Sequence, residues 1–330
     1  MGAGGTDPAG VSSVPEAEHP AVPSTFHVVA VVGPTATGKS DLGVALALTL
    51  GGEVVNADAS QLYGGMDIGT AKLPDGQRHG IPHHQLDVLD VTQEASVAAY
   101  QEAARADLAA IRARGRLPVV VGGSGLYVRA LLDRLEIPPT DPAVRAAWEE
   151  RLERDGPEAL HTLLAERDPD AAAAIEPRNG RRIVRALEVI ELTGRPFSAT
   201  LPTREFVAPT VLVGLRAARE VLDARIEHRT RGMWRAGLLE EVRVLEGQGL
   251  RRGRTASRAV GYAQALRQLD GELSETEAVE ETVVATRRLA RRQERWFGAD
   301  PRVVWLEHDD PGLVDRALEV VRSAAGETED

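Results

Sequence analysis

Short runs of consecutive apolar residues alternate along most of this chain with longer segments in which apolar residues recur every three or four positions. The first run is FHVVAVV at residues 26–32, and four more lie at Glu53–Asn56, Leu117–Val121, Thr210–Leu215 and Arg302–Leu306. Helical spacing follows the first run at residues 41–50 and recurs at Ser96–Arg114 and Glu275–Phe297. Alternating buried strands and helices are typical of a mostly parallel sheet with helices on both faces. We therefore predict an α/β fold.

The strand pattern disappears between about Pro138 and Glu205, where Ala, Arg, Glu and Leu dominate. Two Asp-Pro pairs, at 141–142 and 168–169, are typical helix starts, because aspartate caps a helix and proline suits its first turn. We predict an all-α insertion domain at 138–205 that interrupts a core formed by 26–137 and 206–308. Residues 1–25 are rich in Gly, Pro, Ala and Ser and are predicted to be a disordered tail, and 309–330 a C-terminal helix and tail.

A phosphate-binding loop is predicted directly after the first strand. Its sequence, GPTATGKS, comprises Gly33, Pro34, Thr35, Ala36, Thr37, Gly38, Lys39 and Ser40. The glycines let backbone N–H groups turn toward an anionic oxygen, Lys39 would reach the outer phosphate, and the Ser40 hydroxyl would be a Mg²⁺ ligand. Only two lysines occur in the chain, and one stands where this motif needs a compact charge. The motif indicates a P-loop NTPase-like core that binds a di- or triphosphate.

Two further segments follow predicted strands, where open α/β sheets bind their ligands. Asp58 comes just after the second strand, and three roles are open to it: indirect Mg²⁺ binding, general base, or the cap of a helix or turn. Ser124 follows a glycine pair after the third strand, in VGGSGLY. That pair would let the backbone approach a ligand, but close packing alone would also require it.

Composition excludes several classes of protein. The net charge of −11 argues against a protein that coats nucleic acid, and the absence of cysteine excludes disulfides, Cys-ligated zinc and thiol nucleophiles and fits a cytoplasmic location. No apolar stretch approaches 18 residues without a polar break, so we expect no membrane span. His79, His83 and His84 lack the spacing of zinc ligands, and we expect ordinary polar packing for them.

Seven sequence blocks occur in the order found in one enzyme family. They read GPTATGKS at 33–40, GMDIGTAK at 65–72, IPHHQLDV at 81–88, PVVVGGSGLY at 118–127, RRIVRALEV at 181–189, AVGYAQ at 259–264 and ATRRLARRQ at 285–293. Together they resemble the tRNA dimethylallyltransferases from about Val28 to Leu306. The resemblance implies transfer of a dimethylallyl group from dimethylallyl diphosphate to N6 of the adenosine 3′ of the anticodon, in tRNAs that read codons starting with U. It also implies Mg²⁺ as cofactor and the tRNA anticodon stem-loop as partner, and we expect a monomer.

The resemblance also assigns roles to individual residues. Asp58 would be the general base, Ser124 takes the family's Thr/Ser position, and Arg243 falls on an arginine near the diphosphate, which Thr35 to Ser40 would hold. Contacts to the tRNA would come from Asp58, Ala59, Ser60, Gln61, Ser124, Arg181, Arg182, Ile183, Val184 and Arg185. The family usually has serine directly after the aspartate, whereas this chain has Ala59 and then Ser60. This departure bears on the hydrogen bond from that serine and not on the base.

Three other functions compete with this one: a P-loop kinase, an enzyme that prenylates free adenine nucleotides, and a non-enzymatic RNA-binding module. A kinase would transfer phosphate from ATP, and an RNA-binding module would leave the phosphate loop and Asp58 unexplained. Enzymes acting on free nucleotides have less need of a helical insertion and an arginine-rich carboxyl half. Here residues 178–298 contain 23 arginines and 16 acidic residues, a net charge of +7, whereas the rest of the chain carries −18.

Overall fold

The structure, a computed structural model, describes residues 28–198 and 204–326. Its centre is one six-stranded sheet in which every neighbouring pair of strands is parallel, in the order β3-β2-β4-β1-β5-β6. The strands are β1 Val28–Val32, β2 Gly52–Asn56, β3 His83–His84, β4 Leu117–Gly122, β5 Thr210–Arg216 and β6 Val303–Glu307. The predicted α/β class and its five strands are confirmed. Strand β3 was missed because its two half-buried histidines form no apolar run.

Twelve α-helices surround the sheet within the described residues. They are α1 Lys39–Leu50, α2 Val97–Ala113, α3 Gly125–Leu132, α4 Pro142–Asp155, α5 Pro157–Arg167, α6 Pro169–Ala174, α7 Gly180–Thr193, α8 Arg219–Arg235, α9 Leu238–Gly247, α10 Tyr262–Leu269, α11 Glu275–Gly298 and α12 Leu313–Gly326. Helices α1 and α12 cover one face of the sheet, and α2 and α3 cover the other. Side chains alternate between the two faces of a strand, so the all-apolar sequence of β1 packs on both layers.

Helices α4 to α7 form the region between the third and fourth predicted strands and share a hydrophobic cluster of their own. The two Asp-Pro starts are confirmed: Asp141 accepts from the Ala143 and Val144 backbone N–H groups, and Asp168 accepts from that of Ala171. These carboxylates satisfy helix N–H groups that have no partner within the helix. The residue limits of the insertion and the tails stay predictions, and 1–25 lies outside the described residues.

A third helical group, α8 to α11, packs against the long connection that follows β2. Its cluster buries Tyr63 and Met66 of that connection against Trp234, Leu238 and Tyr262. The segment after β2 is thereby held between the sheet and these helices. None of the helices in the described part of the chain is long and apolar enough to cross a membrane.

Candidate active site

The predicted phosphate loop forms a tight turn between β1 and α1. Gly33 and Gly38 adopt φ values of +132° and +88°, where a side chain is strained, and a Cβ at Gly33 would lie 2.5 Å from the Leu215 carbonyl oxygen. The loop also binds itself. The Thr37 hydroxyl and the Lys39 amine donate to the Pro34 carbonyl oxygen over 2.9 and 2.6 Å, so the amine is held inside the loop.

Burial dominates the electrostatics of the Lys39 amine. It lowers the pKa of Lys39 to about 8, an effect that the Asp58 carboxylate opposes and that the positive charge of Arg229 reinforces. Asp58 and the phosphate loop thus act on each other electrostatically, as expected for groups at the same end of a parallel sheet. Lys39 is also poised to gain full charge when an anion enters.

The affinity for inorganic diphosphate is expected to fall by about tenfold between pH 7 and pH 9, because Lys39 loses its proton around its pKa of about 8. Free diphosphate becomes more negative over the same pH range, which would strengthen its binding. A decline in affinity therefore reflects loss of positive charge on the protein. Calorimetric titration at pH 7, 8 and 9 measures it. Lys39→Met is the control, since its weaker binding should show no such decline; a wild-type affinity that stays constant with pH contradicts the assignment.

Two arginines of α8 contact the phosphate loop, and the sequence analysis missed both. The Arg229 guanidinium donates to the Thr35 hydroxyl over 2.6 Å, and Arg225 donates to the Ala36 carbonyl oxygen over 2.8 Å. The Nε of Arg229 is buried and has no hydrogen-bond partner in the described part of the chain, and burial lowers the pKa of this guanidinium. A buried arginine with a donor still free is well suited to an incoming anion. Their spacing of four residues on one helix face was a visible signal, but the sequence did not reveal which element that face would meet.

Arg243, the arginine predicted near the diphosphate, lies elsewhere. Its side chain on α9 is 54 % exposed and pairs with Glu240 at 2.9 Å. Within the described residues its guanidinium makes no hydrogen bond or ion pair with the phosphate loop. Its role in diphosphate binding stays a prediction, and the two arginines of α8 that contact the phosphate loop are Arg225 and Arg229.

Asp58 follows β2 and caps a short 3₁₀ turn at 59–62. Its Oδ1 atom accepts from the Ser60 backbone N–H over 3.1 Å and from the Ser60 hydroxyl over 2.7 Å. The serine displaced by one position therefore still binds the aspartate. Oδ2 makes no hydrogen bond within the described residues, so one carboxylate oxygen is oriented and the other can accept a proton. The capping role and the general-base role are compatible.

The glycine pair before Ser124 brings two loops together. A Cβ at Gly122 would lie 2.3 Å from the Ala57 carbonyl oxygen, so the loop after β4 approaches the Asp58 segment closely. The Ser124 hydroxyl accepts from the Ala59 N–H over 3.1 Å, and the Ser124 N–H donates to the Ala57 carbonyl over 3.3 Å. Asp58, Ala59, Ser60 and Ser124 therefore lie next to one another at this end of the sheet.

The rest of the segment after β2 is fixed by two polar side chains, the buried Lys72 and the partly buried Glu241. The Lys72 amine donates to the Tyr63 carbonyl over 2.6 Å and pairs with Asp67 and Asp87. The Glu241 carboxylate accepts from three successive backbone N–H groups, those of Asp67, Ile68 and Gly69. Gln61 is tied to the same segment by a 3.1 Å bond to the Thr70 carbonyl. The second lysine of the chain is thus structural, and a carboxylate from α9 holds the GMDIGTAK block.

The five consecutive residues predicted to contact tRNA lie in the first half of α7, with different exposures. Arg181 and Arg182 are exposed, whereas Ile183 and Val184 are buried in the core of the helical insertion. The Arg185 guanidinium donates to the Pro138 and Pro139 carbonyls and to the buried carboxylate of Glu188. Among the described residues, the Arg181 and Arg182 guanidinium groups have no ion-pair partner, whereas Arg185 binds the helical insertion to the segment that leads into it.

The histidines have ordinary polar partners where the structure shows them. His84 on β3 bonds to Glu53 over 2.7 Å, and His83 bonds to the Ile81 carbonyl over 2.8 Å. His79 occupies a left-handed turn position. Among the described residues, no three His, Cys, Asp or Glu side chains are grouped as for a metal ion.

The residues at the loop fit Mg²⁺ by their chemistry. The Ser40 hydroxyl has no hydrogen-bond partner in the part of the chain that the structure describes, and the free oxygen of Asp58 lies at the same end of the sheet. Magnesium binds hard oxygen ligands and commonly takes only one or two from the protein, with substrate phosphates and water supplying the rest.

Comparisons with known proteins agree on one family. The model of the IPP transferase family matches residues 61–300. A tRNA dimethylallyltransferase of Thermobifida fusca is 62 % identical over 299 residues, covering 89 % of this chain and 94 % of the relative, and one of Streptomyces coelicolor is 61 % identical, covering 89 % and 93 %.

Solved structures give the same result for the fold. A tRNA isopentenylpyrophosphate transferase of Bacillus halodurans superposes with a TM-score of 0.66 at 39 % identity, covering 92 % of this chain and 96 % of the other. A eukaryotic dimethylallyltransferase acting on tRNA superposes with a TM-score of 0.74 at 27 % identity, covering 88 % and 76 %. The chain belongs to the IPP transferase family.

Proposed function

We propose that this protein transfers a dimethylallyl group from dimethylallyl diphosphate to N6 of the adenosine that follows the anticodon of a tRNA. The observation that carries the proposal is the meeting of two kinds of group at one end of the sheet. The phosphate loop contains Lys39 and is contacted by Arg229, and both groups are cationic. The Asp58 carboxylate, of which one oxygen is bound by Ser60, lies close enough to raise the pKa of both. A leaving diphosphate and a nucleophile that must lose a proton need this pairing.

On the acceptor side, the exocyclic amine of adenine is a poor nucleophile because its lone pair is delocalised into the ring. Asp58 accepts a proton from N6 through its free oxygen as the new N–C bond forms, while Ser60 keeps the carboxylate oriented. Ser124 and Gln61 line the same surface and position the nucleoside. The base must first be turned out of the anticodon loop, which costs less than removing it from a duplex.

On the donor side, the allylic C–O bond breaks and diphosphate departs with its electron pair. The N–H groups of the loop, Lys39 and Arg229 stabilise the charge that accumulates on this leaving group. Magnesium bound through Ser40 would neutralise part of the same charge. Because the donor needs no hydrolysis of a nucleotide, the phosphate loop serves here to bind and release a diphosphate.

The proposal also covers the oligomeric state of the protein, its location and its contacts with tRNA. The protein acts as a monomer in the cytoplasm, where its tRNA substrates occur. The exposed Arg181 and Arg182 of α7 contact the phosphates of the anticodon stem-loop. The net positive charge of +7 lies in residues 178–298, and the acidic remainder of the chain limits unspecific binding to other nucleic acids.

The test is incubation of the protein with dimethylallyl diphosphate, Mg²⁺ and unmodified tRNA, followed by analysis of the nucleosides. The expected product is N6-(dimethylallyl)adenosine. AMP and ATP serve as controls in parallel reactions. Product on AMP but not on tRNA would favour the class that prenylates free nucleotides, and phosphate transfer from ATP would favour a kinase.

Replacing Arg181 and Arg182 together by alanine is expected to weaken tRNA affinity by about tenfold at moderate salt and to flatten its salt dependence, since two phosphate contacts disappear. Filter binding across a salt series measures both quantities. The control is Arg178→Ala, an exposed neighbour that pairs with Glu158 at 3.5 Å. If the double variant binds tRNA as the wild type does, α7 is not an RNA surface.

A further inference from the structure

The loop that would hold the diphosphate and the loop that carries Ser124 are joined by one side chain that the proposed chemistry does not use. Gln293, on α11, is 7 % exposed. Its Oε1 accepts from the Thr35 backbone N–H over 2.8 Å, and its Nε2 donates to the Gly123 carbonyl over 3.0 Å. One amide therefore contacts the donor loop at one atom and the acceptor loop at the other.

The chemistry of this contact requires an amide. One loop offers a donor and the other an acceptor, and a primary amide of this length supplies the complementary pair. Glutamate would place a second oxygen against the Gly123 carbonyl, and methionine would bind neither loop. Gly123 is equally constrained, since a Cβ there would lie 2.4 Å from the Gln293 nitrogen.

Residues near Gln293 also hold the two loops against α11. Thr35 is fixed on its other side by Arg229, and a Cβ at Gly125 would lie 2.2 Å from the indole of Trp296, one turn further along α11. Thr35 belongs to the loop that binds the leaving group. Ser124 lies between the two glycines and binds the Asp58 segment.

We propose that Gln293 is a positioning residue that sets the distance between the diphosphate loop and the acceptor loop. This inference rests on the proposed function. Both polar atoms of the Gln293 amide are bonded to the two loops, so it acts through Thr35 and Gly123. Displacements of about 1 Å between reacting groups can cost on the order of a hundredfold in rate, so a residue that fixes this distance affects the chemical step more than binding.

The test compares Gln293→Met with Thr286→Val, a control that removes a buried hydrogen bond from the same helix, that of the Thr286 hydroxyl to the Thr282 carbonyl at 2.8 Å. Single-turnover rates with enzyme in excess over tRNA are measured, because they do not depend on the inactive fraction. Gln293→Met should lower this rate by about 10- to 100-fold and change the KM for tRNA by less than about threefold. Thr286→Val should leave the rate near that of the wild type.

Three results would overturn the inference. They are a Gln293→Met rate within twofold of the wild type, a loss confined to the KM for tRNA, and an equal loss in both variants at matched melting temperature. Should Gln293→Met fold poorly, Gln293→Glu serves instead, because it keeps the acceptor for Thr35 and loses the donor for Gly123; a wild-type rate there contradicts the inference equally. Failure of the proposed function is distinguishable, since the wild type itself would then give no product.

Discussion

Replacing Asp58 by asparagine is expected to reduce kcat by about 10²- to 10⁴-fold, the range typical of losing a general base. Asparagine keeps an oxygen that can accept from the Ser60 N–H, so the turn at 59–62 should persist, but it cannot take the proton of N6. Rapid-quench assays with labelled donor measure kcat, and filter binding should show tRNA affinity unchanged.

Ser60→Ala is the matched control for this experiment. It removes the hydroxyl that donates to Asp58 over 2.7 Å and leaves the carboxylate and the backbone bond in place. We expect a loss of a few-fold at most. Turnover of the Asp58→Asn variant within threefold of the wild type would show that N6 loses its proton by another route.

Arg229→Met is expected to reduce kcat by about 10²- to 10³-fold and to raise the KM for dimethylallyl diphosphate. Loss of a single preorganised donor to a developing anion has an effect of this size. The buried Nε of Arg229 has no hydrogen-bond partner among the described residues, and its guanidinium already reaches the phosphate loop. Steady-state kinetics with varied donor measure both constants.

Arg243→Ala is the comparison that separates two assignments of the diphosphate-binding arginine. It lies on the exposed face of α9 beside Glu240, and its removal should change kcat by less than about threefold. A large effect at Arg243 together with a small one at Arg229 would favour the arginine predicted from the family resemblance over the one that contacts the loop.

The sequence predicted those parts of the fold and the site that depend on local pattern. The GPTATGKS loop, the strand before it and the Asp-Pro helix starts each follow from residues close together in the chain, and the structure has them where they were expected. Asp58 and Ser124 were both predicted to follow strands of one parallel sheet, and the structure adds that these two strands are neighbours.

The groups that sequence reasoning missed come from far along the chain. Arg229 is 194 residues from Thr35, and Gln293 is 258 residues from it. Whether a polar residue on a helix faces a loop or solvent depends on how that helix packs, and spacing along one helix does not specify its neighbour. Ile183 and Val184 illustrate the same point, because the apolar side of α7 turned into the core of the insertion while Arg181 and Arg182 remained outside.

The position of β4 between β2 and β1 fixes the distance between the segments that follow β2 and β1. Asp58 follows β2 and the phosphate loop follows β1, so two strand spacings, about 10 Å, separate the points where the segments of the proposed base and the proposed leaving-group site begin. This span accommodates an amine, one reacting carbon and a departing oxygen in line. In the proposed reaction the sheet therefore fixes the distance over which the group is transferred, and a variant with a different acceptor or a bulkier allyl donor would have to arise from changes in the loops.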